Sequence, residues 1–278
     1  MNGSRTVGSS RLTGTVLSAL GWAAALLLFF PVFWMVLTAF KQERDAFTSP
    51  PKFVFEPTLD QFDAVLSGGL ETALLNSLWA TVGSTVLVVA LALPAAYALS
   101  IRPVEKWTDV LFFFLSTRML PVVGAIVPIY IIARDIGMLD NIWTLVVLYT
   151  AMNLPIAVWM LRSFMSEVPT EVLEAARVDG ASLWAEARKV LFPMIAPGIA
   201  ATGLICVIFA WNEFFLAVTL TAVRAQTVPV YLVGFITSEG AFWARLSAAA
   251  TLAAVPVLLC GWVAQRYLVR GLTLGAIK

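Results

Sequence analysis

Six stretches of this chain are each apolar and long enough to cross a lipid bilayer, and no other feature restricts the fold as strongly. An α-helix rises about 1.5 Å per residue, so roughly 20 apolar residues cover about 30 Å of hydrocarbon. The stretches run over about 15–40, 74–100, 110–133, 142–161, 198–221 and 246–269. In lipid each backbone must satisfy its own hydrogen bonds, which demands helices. The expected fold class is therefore an all-α membrane protein with six transmembrane helices. Composition agrees, with 60% of the 278 residues hydrophobic and 13% charged, against about 25% charged in soluble domains. The first run follows Arg5 and Arg11 as a secretory signal would. It is longer than the roughly 7–15 residues of a signal core, and its end, "LTAFKQ", lacks a small-x-small cleavage pattern, so it is expected as a retained helix.

Orientation follows from Lys and Arg near the spans. The richer set comprises Arg5, Arg11, Arg102, Lys106, Arg162, Arg177, Arg188, Lys189, Arg266, Arg270 and Lys278, and the poorer one Lys41, Arg44, Lys52, Arg134, Arg224 and Arg245. Both termini, 1–14 and 271–278, are expected in the cytoplasm around a single membrane domain, 15–270. The outward loops are then 41–73 and 222–245. In the first, Pro50, Pro51 and Pro57 act as stiff links, and "PTLDQFDAVL" predicts a short amphipathic helix from near Thr58. These loops serve either as connectors or as docking surfaces.

Several functions are excluded by what the chain lacks. Net charge is +1, which gives no field for nucleic acid. There is no histidine, and the two cysteines, Cys206 and Cys260, lie in separate apolar runs. They are expected as small buried hydrophobes and cannot form a zinc site by themselves. No G-x-x-x-x-G-K-[ST] sequence occurs, so nucleotide is not held here in the usual way.

The polar interruption at 166–193 stands out against this background. In "SEVPTEVLEAARVDG", Ser166 or Thr170 offers a helix cap, Pro169 suits a first turn, and Glu167, Glu171 and Glu174 suit the positive end of the helix dipole. Val168, Val172, Ala175 and Ala176 can share a face. Gly180 permits a left-handed stop, Ser182 can cap a second helix, "LWAEARKVLF", and Pro193 and Pro197 close the element. The spacing predicts a cytoplasmic helix pair between the fourth and fifth spans, either a docking knob or an ordinary amphipathic surface loop.

Glu174-Ala175-Ala176, then Gly180, then Val190-x-Phe192-Pro193 resembles the EAA loop of ABC importer permeases, whose usual ending is Ile-x-Leu-Pro. "RMLPVVGAIVPIY", "NLPIAVWMLRSF", "AWNEFFLAVTLT" and the tail "RGLTLGAIK" are similar to the carbohydrate-uptake branch of that family, including the maltose importer's smaller permease and sugar-alcohol importers. The resemblance implies a multi-pass subunit of the prokaryotic inner membrane that couples import to a separate ATPase dimer. The coupling role falls on Glu174, Ala175, Ala176, Asp179 and Gly180, and the tail residues Arg270, Gly271 and Lys278 are implied to reach towards the ATPase. ATP and magnesium belong to that partner, with no cofactor or metal in this chain. A second permease and an extracytoplasmic solute-binding protein complete the implied assembly, and the implied cargo is a sugar or polyol.

Ionisable groups inside spans are costly and mark a pathway or a buried pair. Arg118 and Glu213 qualify, but their positions along their spans differ by about 10 Å in depth, which argues against a direct salt bridge. Trp211, Asn212 and Glu213 together read as a sugar-handling set or as groups that hold the bundle or line a gate. Asn153 beside Pro155 marks an expected kink with the same two readings. An ion-gradient-driven secondary transporter is the alternative function, and a membrane-embedded enzyme lacks evident chemistry.

Overall fold

The computed structural model describes residues 11–101, 105–119, 121–238 and 240–275, with side chains described from residue 14 to residue 265 within those ranges. The helices in chain order are α1 (Arg11–Ala39), α2 (Glu43–Ala46), α3 (Asp60–Val65) and α4 (Glu71–Ser100), the last entered through a kink at Leu66–Leu70, where Gly69 has φ of +98°. Next come α5 (Trp107–Thr117), α6 (Val122–Asp135), α7 (Ile142–Ser166), α8 (Thr170–Val178) and α9 (Leu183–Glu186). A π-helical turn, Ala187–Leu191, leads to α10 (Phe192–Met194), α11 (Ala196–Trp211), α12 (Phe215–Leu220) and α13 (Val228–Val233). A two-residue antiparallel ladder, β1 (Ile236–Thr237) with β2 (Gly240–Ala241), precedes α14 (Trp243–Gly275).

Among the described residues, four helical stretches are long and apolar enough to cross a membrane: Gly14–Ala39, Asp60–Ser100, Ile142–Ser166 and Trp243–Gln265. Two further candidates are bent pairs. The expected third span is not one helix, because α5 and α6 meet at 82°. Its first half winds down through three-residue bonds, Arg118 N–H to Leu115 and Met119 N–H to Ser116, and its second half is capped by extended Pro121. The expected fifth span is broken as well. It consists of α11, a break at 212–214 and then α12, while α11 turns 77° from the preceding helix 183–194. Pro197, in the first turn of α11, has no N–H with which to continue a straight helix through Ile195. The fourth span reaches Ser166 and stays helical through Pro155.

The chain divides into two compact units, one of residues 1–68 with 235–252 and the other of 69–234 with 253–278. In the first, α1 leaves Leu27, Leu28 and Phe29 exposed. The loop after it is pinned by Lys41, which is buried, sits 4.0 Å from the Trp34 ring centre and donates to the Lys52 carbonyl at 2.7 Å. Thr58 Oγ1 accepts from the Asp60 N–H as α3 starts, where the sequence predicts a helix. The Glu43 carboxylate accepts from the N–H groups of Ala244 and Arg245 in the first turn of α14, where a negative charge is favoured.

In the second unit α4, α7 and α11 form the central bundle. Small residues on α4, including Ala80, Ser84, Ala92 and Ala96, let the helices approach closely, as packing between membrane helices requires. Val88, Leu99, Val158, Leu161, Met165 and Cys206 are buried in one cluster, together with Leu173, Leu191 and Ile195 from the 166–195 segment. Cys206 is buried as expected, whereas Cys260 on α14 is exposed, in a groove that it lines with Ala200, Leu204 and Val207 of α11.

Candidate functional site

Two helices form on either side of Gly180, where the sequence predicts a pair. Gly180 has φ of +82°, a left-handed conformation that an L side chain resists. The Ala181 N–H donates to the Ala176 carbonyl and the Gly180 N–H to the Arg177 carbonyl, both at 3.0 Å. These are the two bonds of a Schellman stop. Ser182 caps α9 by accepting from the Ala185 N–H. The cap of α8 differs from expectation: Pro169 occupies the position without a side-chain bond, Thr170 is already helical, and Ser166 Oγ donates to the Arg162 carbonyl.

Of the expected face, Val168 and Ala176 are half-buried, Val168 against the core cluster, while Val172 and Ala175 are exposed; the fully buried residue of α8 is Leu173, with Arg177 half-buried beside it. Glu174, Ala175, Asp179 and Gly180 are exposed. Around them, Val178 (87% exposed), Leu183 and Trp184 present apolar surface on an otherwise charged element. At its foot, Ser100 of α4 and Ile101 just after it, Ser166 of α7, and Thr170, Glu174 and Arg177 of α8 line a partly polar cleft of about 310 Å³.

Glu186 was not singled out from the sequence, yet it anchors the pair. Its carboxylate is fully buried and accepts from Arg177 Nε at 2.7 Å, Arg177 Nη2 at 3.0 Å and the Tyr97 hydroxyl at 2.9 Å. The hydrogen bond to Glu186 is the first reason that the Arg177 pKa is raised. The signal available was a pair of opposite charges nine residues apart across Gly180. A second missed contact lies nearby, with Arg162 stacked 3.9 Å from the Trp107 ring centre and Nε donating to the Leu99 carbonyl at 3.4 Å.

The candidate pathway residues do not form one site. Arg118 is exposed, donates to the Met152 carbonyl at 2.8 Å and lies 5.1 Å from the Phe209 ring centre. Asn153, next along from Met152, is fully buried, and neither side-chain polar atom has a hydrogen-bond partner among the described residues. Trp211 packs against Ala73, Val228 and Ala253, so its ring is not an open platform. Asn212 is exposed and donates back to the Ile208 carbonyl at 2.8 Å. Glu213 accepts from the N–H groups of Leu216 and Ala217 at 2.9 and 3.2 Å, serving as the anion at the start of α12. Trp211 and Asn212 line one cleft with Pro229 and Leu232, whereas Glu213 turns to α12 and makes no salt bridge to Arg118. Arg270 and Gly271 fall within α14, their side chains outside the described set, and Lys278 lies outside the described residues.

Beyond the far end of the bundle, Asp140 joins two loops. Asp140 has φ of +52°, and its N–H donates to the Leu220 carbonyl. Its carboxylate accepts from four consecutive N–H groups, those of Ala222, Val223, Arg224 and Ala225. Burial alone would raise its pKa, but the four bonds outweigh it and bring the carboxyl from 3.8 to about 2. The stabilisation from this loop lock is complete above 3.8 and is lost as pH falls through about 2. Asp140→Ala should speed hydrogen exchange at the 222–225 amides by about tenfold or more at neutral pH, since bonds to charged groups are worth about 1.5–3 kcal/mol. Unchanged exchange in that segment would show that the lock adds nothing.

Comparison with known proteins gives consistent matches. Residues 89–274 match the family described as binding-protein-dependent transport system inner membrane component. The chain is 38% identical to a probable ABC transporter permease protein of Sinorhizobium fredii over 97% of this chain and 98% of that one. It is 35% identical to the diacetylchitobiose uptake system permease protein of Streptomyces coelicolor, covering 90% and 92% respectively. In fold it is similar to a chain of a bacterial ABC transporter involved in import of the acidic polysaccharide alginate, with a TM-score of 0.75, 24% identity, and coverage of 96% of this chain and 99% of that one.

Proposed function

Since the chain belongs to the family of binding-protein-dependent transport system inner membrane components, we propose that it is one of two permease subunits in an ATP-driven importer of a sugar or sugar alcohol. The family is a transport component, and importers of this kind work with a separate ATPase and a solute-binding protein. ATP and magnesium belong to the ATPase. α5 with α6, and α11 with α12, each count as one span, which gives six, with both termini and the 166–193 element on the cytoplasmic side. The second permease completes the pathway. Carbohydrate cargo is supported by the diacetylchitobiose permease of Streptomyces coelicolor, and an ion-gradient-driven mechanism finds no support among the relatives.

The observation that carries the coupling reading is the exposed apolar tip on the α8–α9 pair. Val178, Leu183 and Trp184 surround exposed Glu174, Ala175 and Asp179, a combination suited to a groove on the ATPase that offers apolar walls and basic groups. Arg270, Gly271 and Lys278 are assigned to the same partner. Arg118 and Asn153 are the better-supported pathway residues, because Trp211 and Glu213 are engaged in packing and in capping α12.

The test is co-purification of the ATPase with the tagged chain, expressed together with its neighbouring genes. Val178 is so exposed that Val178→Glu leaves the fold intact. Placing a charge in a desolvated contact should cost about 2 kcal/mol or more and reduce bound ATPase by at least about tenfold. Wild-type protein that purifies without any ATPase would end the importer reading. Full retention by Val178→Glu would move the docking surface elsewhere.

A further inference from the structure

Apolar contact alone accounts for the seating of the helix pair on the bundle. Leu173 and Leu191 are buried in the cluster with Ala96, Leu99, Leu161 and Met165. Such contact is non-directional, and a buried ion pair is not needed to strengthen it, because well-packed apolar residues would hold at least as well. Yet Glu186 is placed there, fully buried, with a bidentate Arg177 on one side and the Tyr97 hydroxyl on the other. What these bonds add is direction, because a charge-assisted fork tolerates little change in angle or distance.

The placement of the group is specific. Arg177 belongs to α8 and Glu186 ends α9, so the ion pair locks the two short helices together across Gly180. Tyr97 belongs to α4, which packs along α7 from Gly83 against Val146 to Leu99 beside Arg162. Directly after Glu186 the chain enters the π-helical turn Ala187–Leu191, a local irregularity of the kind often found at functional positions. The pair can thus move as one piece, and its polar link to the bundle passes to α4 rather than only along its own chain.

On the importer reading above, we propose that Glu186 is a positioning residue that carries movement of the α8–α9 pair into α4 through Tyr97. The ATPase closes against the pair, the Arg177–Glu186 fork keeps the pair rigid, and the phenol bond makes α4 follow. In the assembled complex this link is a load on the ATPase, because closure must drag a packed membrane helix with it. Cutting the link lightens that load, because the apolar contact with Ala96 and Leu99 that remains has no fixed direction.

The test is ATP hydrolysis without cargo, measured on gel-filtered complexes in lipid nanodiscs and normalised to bound ATPase. Tyr97→Phe keeps the ring and both members of the Arg177–Glu186 pair, and removes the phenol hydroxyl with its bond to Glu186 and its interaction with Arg177. Hydrolysis is expected to rise by about tenfold, the scale of one hydrogen bond to a charged group. An ATPase released from the chain would also lose that load, so the rate is read only on the gel-filtered, assembled fraction, at an ATPase-to-permease ratio matched to wild type. Glu186→Gln should shift the rate in the same direction, and if it fails to assemble, Tyr97→Phe still decides. A Tyr97→Phe complex that hydrolyses at or below the wild-type rate overturns the proposal. A wild-type chain that elutes with no ATPase overturns the importer reading itself, which is a separate outcome.

Discussion

Gly180→Pro should remove the ATPase from the complex while leaving the membrane bundle folded. Proline fixes φ near −65°, whereas position 180 sits at +82°. The Gly180 N–H that donates to the Arg177 carbonyl would also be lost. The stop between α8 and α9 cannot form with either change, and about 3 kcal/mol, the usual scale for a misplaced proline, lowers the population of the correct turn about 100-fold. Nothing lies within 4 Å of a Cβ added at Gly180, so Gly180→Ala meets only the backbone penalty of about 1–2 kcal/mol. It should bind an intermediate amount of ATPase. The turn is exposed and outside the buried cluster, so helix content by circular dichroism should be unchanged in both variants. Bound ATPase at wild-type stoichiometry in Gly180→Pro would show that the turn does not organise the contact.

Gly180 was legible because its demand is local: a left-handed stop between two helical patterns can be filled cheaply only by glycine. The apolar runs were legible for a similar reason, since each carries its own length requirement. What the runs concealed was direction. Hydropathy over 110–133 is continuous, and nothing in it registers that the axis turns by 82° between α5 and α6. The same blindness hid the surroundings of Glu213. An acid inside an apolar run suggests a pathway or an ion pair, but once the helix breaks at 212–214 the acid stands at the start of α12, where two N–H groups take it up. Glu213 left Trp211 and Asn212 for that reason, while those two stay together on one cleft, the ring largely packed and the amide exposed. Glu186 was missed in the opposite sense. Within "LWAEARKVLF" it reads as a solvent-facing charge, and only the folding of the pair onto the end of α4 buries it.

The spacing of α7 and α11 yields a prediction of comparable size. These two helices bracket the pair in the chain, so their separation fixes where the pair leaves the bundle. At their contact Gly198 faces Phe164 so closely that an added Cβ would lie 2.6 Å from the ring Cδ2 and 2.9 Å from the Phe164 Cβ. Turning the ring to another rotamer relieves the first clash but not the second, so one backbone must move. Overpacking of this kind costs about 1–3 kcal/mol, and Gly198→Ala belongs at the upper end because the gain in helix propensity, about 0.5–1 kcal/mol, offsets only part of it. Gly203, on the same helix, is the control: nothing lies within 4 Å of an added Cβ there, and Gly203→Ala should hold or raise the melting temperature. Gly198→Ala should lower that temperature in detergent and reduce bound ATPase with it, since the displaced backbone leads directly into α10. Adding Phe164→Leu should recover part of both losses, a coupling expected only of residues in contact. A Gly198→Ala protein that melts with wild type would mean that α7 and α11 part easily at this point and do not set the position of the pair.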